Sequence, residues 1–232
     1  MVTWSCHRRR SWQSCACDTT SHIGALQRLR DWRLIRLDPR TPITIATGNS
    51  DKLREIVALW GSFLPPVTAV SGDYQEVDET GETYEENATI KAAALAELIG
   101  GPALADDSGI EVEVLGWGPG VRSARTPYAG APPAERNENI LRAVAGKSRA
   151  ARFVSVCALV VSGYEPVIGR GEVQGFIAER ALGSNGFGYD PIFLYEPYHQ
   201  TFGQVDTRLK HAVSHRGGAI RSLQTKLGLL GQ

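Results

Sequence analysis

Along this chain two periodicities of apolar positions alternate, one of two residues and one of three to four, and the changes between them mark out successive elements. Ile43 to Thr47 is a short β-branched run that predicts a strand. Gly48-Asn49-Ser50 follows as a turn, with Ser50 as helix N-cap. Leu53, Ile56, Val57 and Trp60 then share one face, which predicts an amphipathic helix over 51–60. Pro65-Pro66 marks a loop, and Val67 to Val70 predicts a second strand. Thr83 with Glu86 three residues on reads as a capping box for a helix that ends near Ile99, before Gly100-Gly101-Pro102. Ala103 to Ala105 and Ile110 to Leu115 predict two short strands on either side of Asp106-Asp107-Ser108-Gly109. Gly116 to Gly120 reads as a rigid loop, and 133–145 as a helix stopped at Gly146. Arg152 to Ser162 and Val167 to Ala178 predict a long hairpin turning near Gly163. A glycine-rich loop over 183–190, a short strand over 191–194 and a last helix over 213–227 complete the pattern. Strands alternate with helices early and pair as a hairpin later, so the expected class is α/β on a mixed sheet.

At 232 residues and 42% hydrophobic content, the chain suits one domain, or one domain divided by a cleft. The balance of 25 basic and 25 acidic residues offers no electrostatic reason for general binding to nucleic acid or lipid. No stretch approaches the roughly 20 apolar residues of a membrane span, and no signal peptide is legible. Cys157, inside the apolar run Val154 to Val161, reads as a buried and inert thiol, which fits a cytoplasmic location.

Residues 1–41 differ from the rest, so the organisation reads as an atypical extension over 1–41 and a catalytic domain over 42–232. The extension holds Cys6, Cys15, Cys17, Trp4, Trp12 and Trp32, with arginines and no lysine. A short helix over Ile23 to Leu37 is the one element its pattern allows. A disordered or weakly helical extension and a start assigned upstream of the native one both account for it. The spacing of Cys6, His7, Cys15, Cys17 and His22 matches no standard zinc pattern.

Several stretches carry candidate chemistry. Adjacent carboxylates at Asp106-Asp107, next to an apolar run, call for a positive partner, and a divalent cation is the usual one; an ordinary Asp-Asp-Ser-Gly turn is the alternative. Thr47, Gly48, Asn49, Ser50, Asp51 and Lys52 join a strand to a helix start, where free backbone N–H groups favour an anion. Phe187, Gly188, Tyr189 and Asp190 lie in a loop that combines glycines and aromatics, suited to a planar ligand. Lys210, His215 and Arg216 bring cations and donors to the start of the last helix.

Taken in order, these stretches resemble the inosine triphosphate pyrophosphatase family, which hydrolyses non-standard purine nucleoside triphosphates. The resemblance runs from Ile43 to Leu227. It rests on Thr47-Gly48-Asn49-x-x-Lys52, Glu79-Thr80-Gly81, Glu86-Asn87-Ala88-x-x-Lys91-Ala92 and Ala105 to Gly109. Pro119-Gly120-x-x-Ser123-Ala124-Arg125, Gly186 to Pro191 and Ser214-His215-Arg216-Gly217 complete it. It implies an elongated mixed sheet with flanking helices, two lobes around a central cleft, and a homodimer. It also implies magnesium-dependent cleavage of ITP, dITP or XTP to the monophosphate and pyrophosphate. By resemblance Asp107 is the proton acceptor and a metal ligand, with Asp78 as a second ligand. Ser108 and Lys91, the loop from Thr47 to Lys52, the loop from Phe187 to Asp190, and Lys210, His215 and Arg216 fall on substrate positions. Asn185 replaces a frequent glycine, and Trp117 stands where small residues are common, which suggests the cleft rim.

Base choice then has a physical logic. Hypoxanthine and xanthine carry oxygen at C6, where adenine carries an amino group. Donors from His215, Arg216 or the backbone near Tyr189 would accept the first two and oppose adenine. Guanine shares the C6 oxygen, and this logic does not exclude it.

Overall fold

The structure, a computed structural model, describes residues 35, 37–63, 65–71, 74–75, 77–123 and 131–230. The readings made for residues 1–34, and those for Ala124 and Arg125, lie outside the described residues. Ile35 and Leu37 are described, and both pack partly buried against the core.

Strand β1 (Ile43–Ile45) leads into helix α1 (Ser50–Trp60), and β2 (Val67–Ala69) follows. Helix α2 (Tyr84–Ile99) precedes β3 (Ala103–Val112) and the short β4 (Gly118–Pro119). Helix α3 (Pro133–Ala143) is followed by the hairpin of β5 (Ala150–Val160) and β6 (Val167–Ile177). Then come β7 (Phe193–Tyr195), β8 (Gln200–Thr201), α4 (Thr207–Val213) and α5 (His215–Lys226). The sheet order is β2-β1-β3-β5-β6-β7-β8, with β4 on β3. β1 is parallel to β2 and β3, and the remaining pairs are antiparallel, which makes the sheet mixed as expected.

The capping box stands: Thr83 Oγ1 accepts from the Glu86 backbone, the Glu86 carboxylate accepts from Thr83, and Gly100 closes the helix in the left-handed region. Three expectations are corrected. Asn49, not Ser50, caps α1, accepting from the backbone of Asp51 and Lys52. An Asn side chain one residue earlier reaches the free N–H groups as well as Ser would, so composition did not separate them. The last helix, expected from 213, starts at His215 with the Ser214 hydroxyl as its cap, and a separate short helix, α4, that the pattern did not predict precedes it. Most consequential, the two strands expected around Asp106-Asp107 are one unbroken strand, paired with β5 residue for residue from Ala103 to Val112. Acidic residues have low strand propensity, but ladder pairing and ion pairs override it here.

Because β3 is continuous, its side chains alternate between the two faces of the sheet. One face takes α2 through small residues: Ala88 and Ala92 pack against Ala103, Ala105, Val154 and Val156. The other takes α1 and α5, with Ile56, Trp60, Ile220 and Leu223 on Ile43, Ile45, Leu104 and Leu159. Further along that face, Phe153, Phe193 and Phe202 form an aromatic core with Ile110 and Val173. Helix α5 lies so close to β6 that a Cβ on Gly171 would stand 2.2 Å from the His215 carbonyl oxygen. That approach delivers the α5 N-terminus to the centre of the sheet.

Candidate active site

Strand alternation separates the two carboxylates. Asp106 lies on the α1/α5 face. Its Oδ2 is 2.9 Å from Lys52 Nζ, and its oxygens accept from Arg216 at 3.3 Å and from Ser155 Oγ at 2.6 Å. Burial works against ionisation of Asp106, but the guanidinium of Arg216 and the ammonium of Lys52 hold its carboxyl well below the usual range. It is a charged tie between the first turns of α1 and α5. Ser108, two residues on and on the same face, bonds both Asp106 and Arg216.

Glu55 is the second tie. It shares a face of α1 with Lys52, one turn away, and is buried. Its carboxylate accepts from Lys210 Nζ at 2.7 Å and from Arg216 Nη1. Lys210 also pairs with Asp190 at 2.6 Å, and Asp190 accepts from the Phe187 backbone at 2.8 Å. The chain Asp106–Arg216–Glu55–Lys210–Asp190 thus connects β3, α5, α1, α4 and the aromatic loop. The Phe187 ring lies 5.2 Å from Lys210 Nζ and 5.6 Å from the Arg216 guanidinium.

Beside this network opens a pocket of about 130 Å³, lined among others by Asn49, Lys52, Ser108, Phe187, Tyr189 and His215. One end holds the N-terminus of α1 with Lys52, suited to an anion. The other is aromatic: Phe187, Tyr189 and Phe153, with His215 stacked on Phe153 at 4.6 Å. Burial, reinforced by Arg216 and Lys210, holds the His215 imidazole well below its usual pKa, so it is neutral. Among the described residues its buried Nδ1 has no hydrogen-bond partner. A pocket with an anion-binding end and an aromatic end with unspent polar atoms matches a nucleotide.

Asp107 faces α2. Lys91 Nζ bonds Glu79 Oε1 at 2.6 Å, the Asp106 carbonyl at 2.8 Å and Asp107 Oδ1 at 3.4 Å, and Asn87 Nδ2 donates to Asp107 Oδ2 at 3.3 Å. Burial raises the Asp107 carboxyl above its ordinary value; Lys91 opposes the shift and Glu79 reinforces it. Two carboxylates thus meet at one ammonium and form an oxygen-donor pair. A hard divalent cation suits that set, since magnesium is typically held by one or two carboxylates and completes its shell with water and phosphate oxygens. Among the described residues no group of three or more His, Cys, Asp or Glu has metal-binding geometry.

The sequence-derived residues therefore fall into two groups. Thr47, Gly48, Asn49, Ser50, Asp51 and Lys52 form the β1–α1 turn and first helical turn, with the Thr47 hydroxyl accepting from the Asn49 backbone at 3.1 Å. Phe187, Gly188, Tyr189, Asp190, Lys210, His215 and Arg216 line the pocket with Ser108, while Lys91 joins Asp107 on the opposite face. Asp78 is exposed and, among the described residues, has no hydrogen bond or ion pair; its neighbour Glu79 is the carboxylate that reaches Lys91. Glu86 is also exposed, its carboxylate spent on the Glu82 and Thr83 backbone. Asn185 is not in the left-handed region; it bonds Gly203 and Val205 instead. Trp117 lies not on this pocket but in a separate groove, at φ 62°, with Arg152 4.9 Å from its ring. Sequence reasoning missed Glu55 and Arg136. The i, i+3 spacing of Lys52 and Glu55 on the buried face of α1 was the available signal for Glu55; Arg136, in the exposed-looking first turn of α3, gave none.

Matches to known proteins span most of the chain. The family model described as the Ham1 family matches residues 43–226. A dITP/XTP pyrophosphatase of Bacillus anthracis is 42% identical over 197 residues, covering 80% of this chain and 95% of that one. The dITP/XTP pyrophosphatase of Deinococcus deserti is 42% identical, covering 78% and 87%. Among solved structures, a HAM1 protein from Coxiella burnetii superposes with a TM-score of 0.73 at 38% identity, covering 82% of this chain and all (100%) of that one. The Staphylococcus aureus Ham1 protein gives 0.72 at 34%, covering 81% and 98%.

Proposed function

From the premise that this chain belongs to the Ham1 family, we propose that it hydrolyses non-standard purine nucleoside triphosphates, ITP, dITP and XTP, to the monophosphate and pyrophosphate. The observation that carries the reading is the juxtaposition of an anion-binding helix start, an aromatic pocket and, across β3, the Asp107–Lys91–Glu79 cluster.

The base enters the aromatic end against Phe187 and Tyr189. His215, Arg216 and the backbone near Tyr189 offer hydrogen bonds to the C6 oxygen. The triphosphate runs from the α1 N-terminus and Lys52 toward Lys91 across β3, and the two ammonium groups offset its charge. Asp107 and Glu79 would hold magnesium, with Asp78, beside Glu79 in the chain, as a further oxygen donor. When bound, the ion supplies positive charge to phosphate oxygens and lowers the pKa of attached carboxylates. Asp107 orients the attacking water and takes its proton as the new Pα–O bond forms and the Pα–O–Pβ bond breaks. Pyrophosphate leaves with the bridging oxygen. Magnesium dependence, a homodimeric assembly and a cytoplasmic location belong to the same reading.

Product analysis tests it. ITP should give IMP and pyrophosphate in equal amounts, and only with a divalent cation present. IDP and orthophosphate as products would place the cleavage at the wrong bond and overturn the proposal.

A further inference from the structure

We propose that Arg136 reads the C2 position of the base and selects the xanthine ring; the inference rests on the pyrophosphatase reading above and deepens it.

Five side chains lining the pocket are cationic or can become so: Lys52, Arg136, Lys210, His215 and Arg216. Lys52 is paired with Asp106, Lys210 with Glu55 and Asp190, and Arg216 with Asp106 and Glu55. His215 is held neutral. Arg136 differs from all of them. Among the described residues it has no side-chain hydrogen bond or ion pair; its one recorded interaction is with the Tyr189 ring, 5.9 Å from the guanidinium carbon. The residue is half-buried, and its Nε is fully buried without a partner. A buried donor on a permanently charged group is costly to leave unmade, and a ligand that supplies the acceptor recovers that cost.

The placement of Arg136 is built in. Its neighbour Asn137 is buried and donates from Nδ2 to the Gly188 carbonyl at 3.1 Å, which fastens α3 to the aromatic loop. Tyr189 is fixed in turn by its hydroxyl, which donates to the Ser123 carbonyl at 2.8 Å. Arg136 is therefore carried on the same unit as the ring on which a base would stack.

The chemistry of the purines identifies its target. The C6 oxygen is common to hypoxanthine, xanthine and guanine, so a contact there separates none of them. At C2, hypoxanthine carries hydrogen, guanine an amino group and xanthine an oxygen. The xanthine ring of a nucleotide is also acidic enough to be partly anionic near neutral pH, unlike the other two. An uncompensated guanidinium with a spare donor pairs with that oxygen and its charge, is indifferent to hydrogen, and meets the guanine amino group donor to donor. This supplies the discrimination against guanine that C6 contacts alone do not.

The test compares kcat/KM on ITP, XTP and GTP for the wild type, Arg136→Met and Arg136→Lys across pH, with thermal melts to confirm folding. Arg136→Met should lose at least about tenfold more on XTP than on ITP, the scale of one charge-assisted hydrogen bond. Its XTP-to-ITP ratio should also lose the rise with pH that base ionisation gives the wild type, and Arg136→Lys should restore part of both. An equal loss on ITP and XTP would reduce Arg136 to a support for Tyr189 and overturn the proposal, as would no loss on either. A wild type inactive on both substrates would instead overturn the pyrophosphatase reading itself, and this proposal with it.

Discussion

Asp106 and Asp107 are bonded neighbours that face opposite sides of one strand, Asp106 toward Lys52 and Arg216, Asp107 toward Lys91 and Glu79. The continuity of β3 turns an apparently repulsive pair into two sites with opposite electrostatics. Burial opposes ionisation of both; at Asp106 the charges of Arg216 and Lys52 prevail and lower its pKa, whereas at Asp107 burial prevails over Lys91 and leaves it raised.

Asp106 should accordingly be the structural member. Its folded-state pKa is depressed, so its contribution to stability is present above the ordinary value of 3.8 and is lost as pH falls below it. Asp106→Asn leaves the Lys52 and Arg216 charges under-compensated in a buried place. We expect a loss of about 3–5 kcal/mol in denaturant unfolding at neutral pH. A loss within experimental error of zero would contradict the tie between α1 and α5.

Asp107 should show the reverse. Its carboxyl is raised in the folded state, so ionising it works against folding once pH exceeds the unfolded value. Asp107→Asn should therefore keep or raise the melting temperature while kcat falls by roughly 10²–10⁴, the usual worth of a positioned proton acceptor. Full activity in this variant would remove Asp107 from the reaction.

His215 gives a pH signature. It is surrounded by the Phe153 ring and by Arg216, Lys210, Lys52 and Asp106, and its folded pKa lies well below 6.5. Below pH 6.5 the unfolded chain binds a proton that the folded one does not. The stabilising contribution of this residue is thus complete above that pH and declines as pH falls. NMR of the imidazole should show no titration from about pH 7.5 down to about 5.5. A midpoint near the ordinary value would show that the site is wetter and less cationic than described.

Much of this was legible in the residues. The Thr83–Glu86 capping box and the β5–β6 hairpin followed from local chemistry, which depends on neighbours a few positions away. So did the α/β class. What local reasoning could not reach was long-range pairing. Asp106-Asp107 reads as a turn until Ser155, Lys52 and Arg216 are known to surround Asp106. Glycine after Asp-Asp-Ser looks like a turn residue too, yet Gly109 is there for space: a Cβ would stand 2.3 Å from the Gly120 carbonyl oxygen. Glu55 looked like one more solvated helix charge until two distant cations converged on it. The choice between Asp78 and Glu79 turns on which of two adjacent carboxylates faces Lys91, which spacing cannot decide.

The central claim is selectivity for non-standard purines at the triphosphate level. The direct measurement is pyrophosphate release from ITP, XTP and ATP by the full chain with magnesium, compared as kcat/KM. We expect ITP and XTP to exceed ATP by about 100-fold or more, because a site built to donate to a C6 oxygen meets an amino group in adenine. Equal or faster release from ATP would contradict the account.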